Sequence, residues 1–420
     1  MMFVSTRGAA PPVTFREALF AGTAPDGGLY VPQTVPPVDF EGLRDATLVE
    51  SSTAMLTRFT GREAPREALA RLLGEALNFP IPLALVGDRA ALELFHGPTC
   101  AFKDVGARVM ARLMALFNPS DDGVTVLVAT SGDTGGAVAH AFHGLEGTRV
   151  VVLFPDGAVT RVQEAQFATL GGNVTAVAVS GSFDDCQRLV KQAFADARLS
   201  NGKRLTSANS INVGRLLPQS FYYAHTALQS RQPVVFSVPS GNLGNLTAGV
   251  MAWKMGAPIQ EFVAATTIND TLPRYLETGQ YAPRPSTPTL ANAMDVGDPS
   301  NAERLRWLFE DDLEAMRRMI RGSVHGDARV QDTIRRVFEE WGYVCDPHTA
   351  IAYAGLDDVR PSDRPMAFLA TAHPAKFKET VEPLIRAHIP LPRELAAALA
   401  RPRQVEKIPP SLEALRELLP

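Results

Sequence analysis

Val124-Thr125-Val126-Leu127-Val128-Ala129-Thr130-Ser131-Gly132-Asp133-Thr134-Gly135-Gly136 starts as an apolar run and breaks into a polar, glycine-rich turn. A short apolar run bounded by turn residues suits a strand buried on both faces, as in a parallel sheet. The same design occurs twice more. Val234 to Val238 leads into Pro239-Ser240-Gly241-Asn242-Leu243-Gly244-Asn245, and Met366 to Ala370 leads into Thr371-Ala372-His373-Pro374-Ala375-Lys376-Phe377. A helical pattern follows each turn. In parallel α/β sheets, ligands bind beyond the carboxyl ends of the strands, where all three turns are expected.

Working outward, Val150 to Phe154 and Val174 to Val179 read as further strands with helices after each. Strands alternating with helices from Ala91 onward imply βαβ units. The first ninety residues read as mostly helical, with Thr14 to Leu19 and Glu63 to Ala76 as candidate helices and Asn78 to Pro82 as a linker. Pro283 to Pro288 is a connection, and the tail from Pro390 is expected to form short helices. These patterns divide the chain into an N-terminal domain (1–90), a smaller α/β domain carrying Lys103 (91–205) and a larger α/β domain (206–420).

Lys103 closes the mostly apolar stretch Glu93-Leu94-Phe95-His96-Gly97-Pro98-Thr99-Cys100-Ala101-Phe102-Lys103 and is one of only seven lysines among 41 Lys and Arg residues. A lysine in an apolar pocket has a lowered pKa and becomes a nucleophilic amine, as Schiff-base chemistry requires. The Ser240–Asn245 turn is the best anion site. Glycines let the backbone approach a phosphate, and the following helix N-terminus offers free N–H groups. The turn lacks the lysine of a nucleoside-triphosphate loop and the G-x-G-x-x-G order of a dinucleotide fold. One amine nucleophile with one phosphate cradle is what pyridoxal phosphate needs.

These residues resemble the threonine synthases, pyridoxal-phosphate enzymes of the tryptophan-synthase-β-like fold, over nearly the whole chain. Val4 to Gly8 and Asp26 to Pro32 are similar to the family's N-terminal signature and point to its longer bacterial and fungal branch. His96 to Asp104, Thr130 to Gly135, Ser207 to Gln219, Ser240 to Asn245, Ala293 to Val296, Asp346 to Ala350 and Thr371 to Phe377 follow in family order. Cys100 stands where the family pattern has an aliphatic residue, and Leu243 where it has phenylalanine.

The resemblance implies two open parallel-sheet α/β domains of the fold type II class plus the N-terminal domain. It implies conversion of O-phospho-L-homoserine and water to L-threonine and phosphate, with Lys103 as cofactor anchor and proton carrier. Ser240, Gly241, Asn242, Leu243, Gly244 and Asn245 are then expected to hold the cofactor phosphate, Thr371 the pyridine nitrogen, and Phe102 and Asp133 to lie beside the ring. Ser131 and Thr134 are candidates for the substrate carboxylate. Ser207, Asn209, Ser210, Asn212 and Arg215 are candidates for the substrate phosphate, since an arginine fork with amide and hydroxyl donors suits that group.

Other features have plainer readings. Asp346-Pro347 fits a helix start, and Asp26-Gly27-Gly28 a turn before a strand. Arg317, Arg318 and Arg321 read as a solvated helix face. No C-x-x-C or H-E-x-x-H spacing marks a metal site. A net charge of −4 without a basic run argues against nucleic acid. No apolar stretch reaches membrane-spanning length, and the first residues lack the layout of a secretory leader. Three scattered cysteines fit a reducing cytoplasm. A small-molecule substrate and a monomer or homodimer are expected. The competing readings are a dehydratase or β-replacement enzyme on the same fold, and a pseudoenzyme that binds the cofactor or a partner without turnover.

Overall fold

The computed structural model describes residues 1–118, 123–200, 204–358 and 364–419. Its strands, in chain order, are β1 (Met2–Ser5), β2 (Val13–Thr14), β3 (Tyr30–Pro32), β4 (Leu83–Val86), β5 (Arg89–Glu93), β6 (Val124–Ala129), β7 (Thr148–Pro155), β8 (Val174–Val179), β9 (Arg204–Thr206), β10 (Val234–Pro239), β11 (Ile259–Thr266), β12 (Ile320–Val324), β13 (Met366–Ala370) and β14 (Glu406–Ile408). They form three sheets, in the orders β2-β1-β3, β12-β11-β10-β13-β5-β4 and β14-β8-β7-β6-β9. In the two larger sheets every pairing is parallel except the β4–β5 hairpin.

Strands β6 and β10 are buried at all six positions, as their unbroken apolar runs require when helices cover both faces of a parallel sheet. Each is also the strand at which its sheet's order reverses. β6 lies between β7 and β9, and β10 between β11 and β13. Such switch points open the crevice where ligands sit in doubly wound sheets. The Thr130–Gly136 and Ser240–Asn245 turns occupy those two crevices, and the Thr371–Phe377 turn follows β13 beside β10.

Capping chemistry fixes the helix starts. Thr14 with Glu17, Thr47 with Glu50 and Ser182 with Asp185 form reciprocal capping boxes. Asp346 caps the Pro347–Asp357 helix with proline at its first turn, as the sequence indicates.

Several sequence expectations need correction. The first ninety residues hold the expected helices, Phe15–Ala21 and Arg66–Ala76, and also Leu48–Thr60. They hold as well the small β2-β1-β3 antiparallel sheet, whose two- to four-residue strands are too short to show alternation. The sheets do not follow the divisions at 90/91 and 205/206. Strand β5, just before Lys103, joins the six-stranded sheet, while β14 of the tail returns to pair with β8. Arg321 lies on β12, not on a helix, and bonds Glu261. Arg317 caps the carbonyls of Leu276 and Glu277.

Candidate active site

Lys103 is the first residue of the helix Lys103–Phe117, placed there by a tight turn from Gly97 to Phe102. The buried Asp104 holds that turn, accepting from the backbone N–H of Thr99 at 2.8 Å and its hydroxyl at 2.7 Å. Cys100 adopts a left-handed conformation with φ of 53°. The turn runs against the third loop. The Phe102 N–H donates to the Thr371 carbonyl at 2.8 Å, and the His373 N–H to the Cys100 carbonyl at 3.1 Å. Ala101 and Ala372 pair as an isolated antiparallel bridge. Backbone contacts thus carry Thr371 to the side of Lys103 from 268 positions away in the chain.

Lys103 keeps a partly accessible face, as an amine that must meet a ligand requires. Enough protein surrounds the amine for desolvation to lower its pKa. Arg215 and Lys376 push it further down, and Asp133 opposes them. The Phe102 ring lies 5.8 Å from the Lys103 Nζ. Asp133 begins the helix Asp133–Phe142 after β6. Its buried Oδ1 accepts from Lys376 Nζ at 2.9 Å and Gln163 Nε2 at 3.0 Å. Burial alone would raise the Asp133 carboxyl; Lys376, Lys103 and Gln163 outweigh it and hold the group well below the ordinary range. Ser131 is exposed and Thr134 half-buried on the same turn.

The Ser240–Asn245 turn passes into the helix Gly244–Lys254, whose N-terminus no side chain caps. Leu243 sits there in the left-handed region with φ of 60°. A Cβ on Gly241 would lie 2.7 Å from Met294 Cα and 3.1 Å from the Ala293 carbonyl, so only glycine lets this turn press against that segment. Asn245 accepts from the hydroxyls of Tyr222 at 2.5 Å and Tyr223 at 2.8 Å, leaving its buried Nδ2 without a protein partner. Asn242 ties the turn to its neighbours, its amide nitrogen donating to Ser210 Oγ at 2.8 Å and its Oδ1 accepting from the Ser300 N–H at 2.6 Å.

The Ser207–Gln219 segment lies against this turn. The fully buried Arg304 holds it, donating to the carbonyls of Ser210, Ile211 and Tyr30. Ser207 Oγ accepts from the Asn209 N–H, and Asn209 Oδ1 is buried without a partner. Arg215 is only 2% exposed; one terminal nitrogen donates to the Ala208 carbonyl at 2.6 Å and its Nε is unpartnered. It forms no ion pair with a carboxylate among the described residues; burial lowers its pKa to about 10, and the Asp104 charge opposes this. A buried cation without a directly paired carboxylate fits an incoming anion. Asn212 does not belong with it. Both its amide hydrogens are spent on the Leu19 and Ser207 carbonyls, and its Oδ1 accepts from the Gly214 N–H. It is the cap of the short Val213–Leu216 helix.

Five supporting residues carried no assignment in the sequence: Lys376, Gln163, Tyr222, Tyr223 and Arg304. Lys376 could have been suspected, because it shows the signal that marked Lys103, a rare lysine in a mostly apolar turn. The others carry no local signal. The three histidines of the motif segments have structural partners, His348 through its Nδ1 and Asp346 at 2.6 Å. His96 bonds Glu93 at 2.7 Å, and His373 Nδ1 accepts from the Ala375 N–H. No cluster of metal-binding side chains occurs among the described residues.

A half-buried lysine of lowered pKa and an uncapped, glycine-lined helix N-terminus fit pyridoxal phosphate, whose aldehyde and phosphate need one of each. Residues 90–368 match the family model "Pyridoxal-phosphate dependent enzyme". The chain is therefore a pyridoxal-phosphate enzyme of fold type II. Residues 2–77 match "Threonine synthase N terminus" and 349–419 match "Threonine synthase, C-terminal". The threonine synthase of Serratia marcescens is 44% identical over 415 residues, covering 97% of this chain and 96% of that one. The crystal structure of the Escherichia coli threonine synthase superposes with a TM-score of 0.93 at 42% identity, covering 100% and 99% of the two chains. The structure of the threonine synthase from Brucella melitensis with bound PLP gives 0.95 at 37% identity, covering 100% and 98%. The chain belongs to the threonine synthase family.

Proposed function

We propose that this enzyme converts O-phospho-L-homoserine and water to L-threonine and phosphate, with Lys103 as the cofactor's anchor and as the base. The observation that carries the reading is that the site offers two separate anion-seeking places besides one amine. The uncapped Gly244 helix N-terminus would take the cofactor phosphate, and Arg215, which no described carboxylate pairs directly, would take the phosphate of the substrate.

Bound pyridoxal phosphate supplies an aldehyde for amines and an electron sink for charge developing at the substrate α-carbon. This chain's residues supply the rest. Ser240 to Asn245 grip the phosphate through backbone N–H groups, with Asn245 Nδ2 as a further donor. Thr371 would offer a neutral hydroxyl to the pyridine nitrogen, and Phe102 and Asp133 would flank the ring. The lowered pKa of the Lys103 amine suits it to take a proton at Cα and one at Cβ as phosphate leaves Cγ, to deliver one to Cγ, which becomes the methyl group, and to return one to Cα after water adds its hydroxyl at Cβ, the water's other proton leaving with the phosphate. Arg215, with Ser207, Asn209 and Ser210 beside it, steadies the phosphate leaving Cγ. Ser131 and Thr134 bind the substrate carboxylate. The buried, unpaired cysteines Cys100, Cys186 and Cys345 support a reducing compartment, the cytoplasm. No described helix is long and apolar enough to cross a membrane.

The deciding experiment measures phosphate release and threonine formation from O-phosphohomoserine, with deamination of threonine and serine followed alongside. Rapid phosphate release with stoichiometric threonine is expected. Deamination as the faster activity would move the enzyme to the dehydratase reading.

A further inference from the structure

Lys376 has no assigned role, yet it is 1% exposed and its ammonium lies 2.9 Å from the Asp133 carboxylate, 243 residues away. The pair joins the turn after β6 in the five-stranded sheet to the turn after β13 in the six-stranded sheet. Lys103 follows directly on Phe102, whose N–H bonds the Thr371 carbonyl of the turn after β13, and its amine feels the charge of both members. An ion pair this deep is costly to form, and removing one partner strands the other charge. A stranded Asp133 would have one other nearby lysine to turn to, Lys103.

We propose that Lys376 is a positioning residue of the active site: it occupies the Asp133 carboxylate and thereby keeps Lys103 free to act as a neutral amine. The inference rests on Lys103 being the cofactor lysine. The charged groups that act on Lys103 are Asp133 on its helix, Arg215 on the Val213–Leu216 helix and Lys376 on the third turn. Those acting on Asp133 are Lys376 and Lys103, with Gln163 as a neutral donor. Asp104, on the Lys103 helix, also feels Lys376. With Lys376 in place, two cations oppose protonation of Lys103 against one carboxylate already engaged. Without it, the balance tips toward a protonated, ion-paired Lys103, which cannot attack an aldehyde.

The test reads Lys103 directly. Apoenzyme is mixed with pyridoxal phosphate from pH 6 to 10, and the visible band is followed as the amine and aldehyde condense with loss of one water. Thermal melting of each variant reports folding. Lys376→Met should move the half-point of the capture rate upward by about one pH unit, roughly tenfold slower capture near neutrality. Lys376→Arg should stay near wild type. Lys376→Met with Asp133→Asn should return the half-point toward wild type, because no carboxylate then remains to hold Lys103. A wild-type profile in Lys376→Met, or a double variant as slow as the single one, would overturn the proposal. If Lys376→Met does not fold, Asp133→Asn alone reads the same coupling with opposite sign. Its half-point should fall, and an unchanged one overturns the proposal. Lys103→Ala is the separate control. Should it still form the band, the assignment of Lys103 fails independently of Lys376.

Discussion

The Phe102 N–H donates to the Thr371 carbonyl at 2.8 Å, and this bond joins the cofactor-lysine turn to the last of the three loops. With the Ala101–Ala372 bridge it makes a short antiparallel contact at the carboxyl end of the parallel sheet. Lys103 and the Thr371 hydroxyl are therefore set by backbone geometry rather than by side-chain packing. Substitutions of either side chain should change chemistry before they change the fold.

Lys103→Ala is the first such case. It should abolish the visible absorbance of the bound cofactor and nearly all turnover, because one amine serves as anchor and base. Its thermal midpoint without cofactor should match or exceed that of wild type, since desolvation of the amine is no longer needed. Retention of both band and rate would reject the assignment.

The two glycines of the phosphate turn should separate. Gly241→Ala places a Cβ 2.7 Å from the Met294 backbone, which cannot yield without moving the turn. Overpacking of this kind costs about 1–3 kcal/mol, so cofactor affinity on dialysis should fall clearly. A Cβ at Gly244 meets Asn301 and Ser210 side-chain atoms at 3.4 Å, ordinary contact. Gly244→Ala should keep its cofactor, and equal losses in the two variants would refute the geometry.

Arg215→Gln should raise KM for O-phosphohomoserine with cofactor affinity nearly unchanged. A charge-assisted hydrogen bond is worth about 1.5–3 kcal/mol, roughly ten- to a hundredfold in affinity. Inhibition by a phosphonate analogue should weaken in parallel. A lowered melting temperature with wild-type KM would instead make Arg215 structural, held only for its bond to the Ala208 carbonyl.

Acid should destabilise the enzyme through His140. Burial lowers its pKa to about 4, with His143, Arg401, Lys376 and Arg108 adding to the effect. Its unfolded value lies near 6.5. A native group of depressed pKa stays neutral while the unfolded chain binds the proton, so stability is lost as pH falls from about 6.5 toward 4. At roughly 1.4 kcal/mol per pH unit, the loss could reach about 3 kcal/mol. His140→Gln should flatten the fall in thermal midpoint across that window, and an unchanged slope would assign the acid sensitivity elsewhere.

Elements that rest on local pattern were legible in the order of residues alone. Unbroken apolar runs at β6, β10 and β13 require burial on both faces, and that requirement alone implies a parallel sheet with loops at its carboxyl ends. The glycine turn after β10 and the lone lysine at 103 follow from chemistry confined to a few consecutive residues. Tertiary structure alone decided what distant residues do to one another. It put β5 in the six-stranded sheet and β14 in the five-stranded one, through pairings hundreds of residues apart. It spent the Asn212 amide on Leu19 and Ser207, although the side chain has the right donors for a phosphate. It also brought Lys376 to Asp133. A residue type states which bonds a side chain can make, and only the folded chain states which partner comes within 3 Å of it.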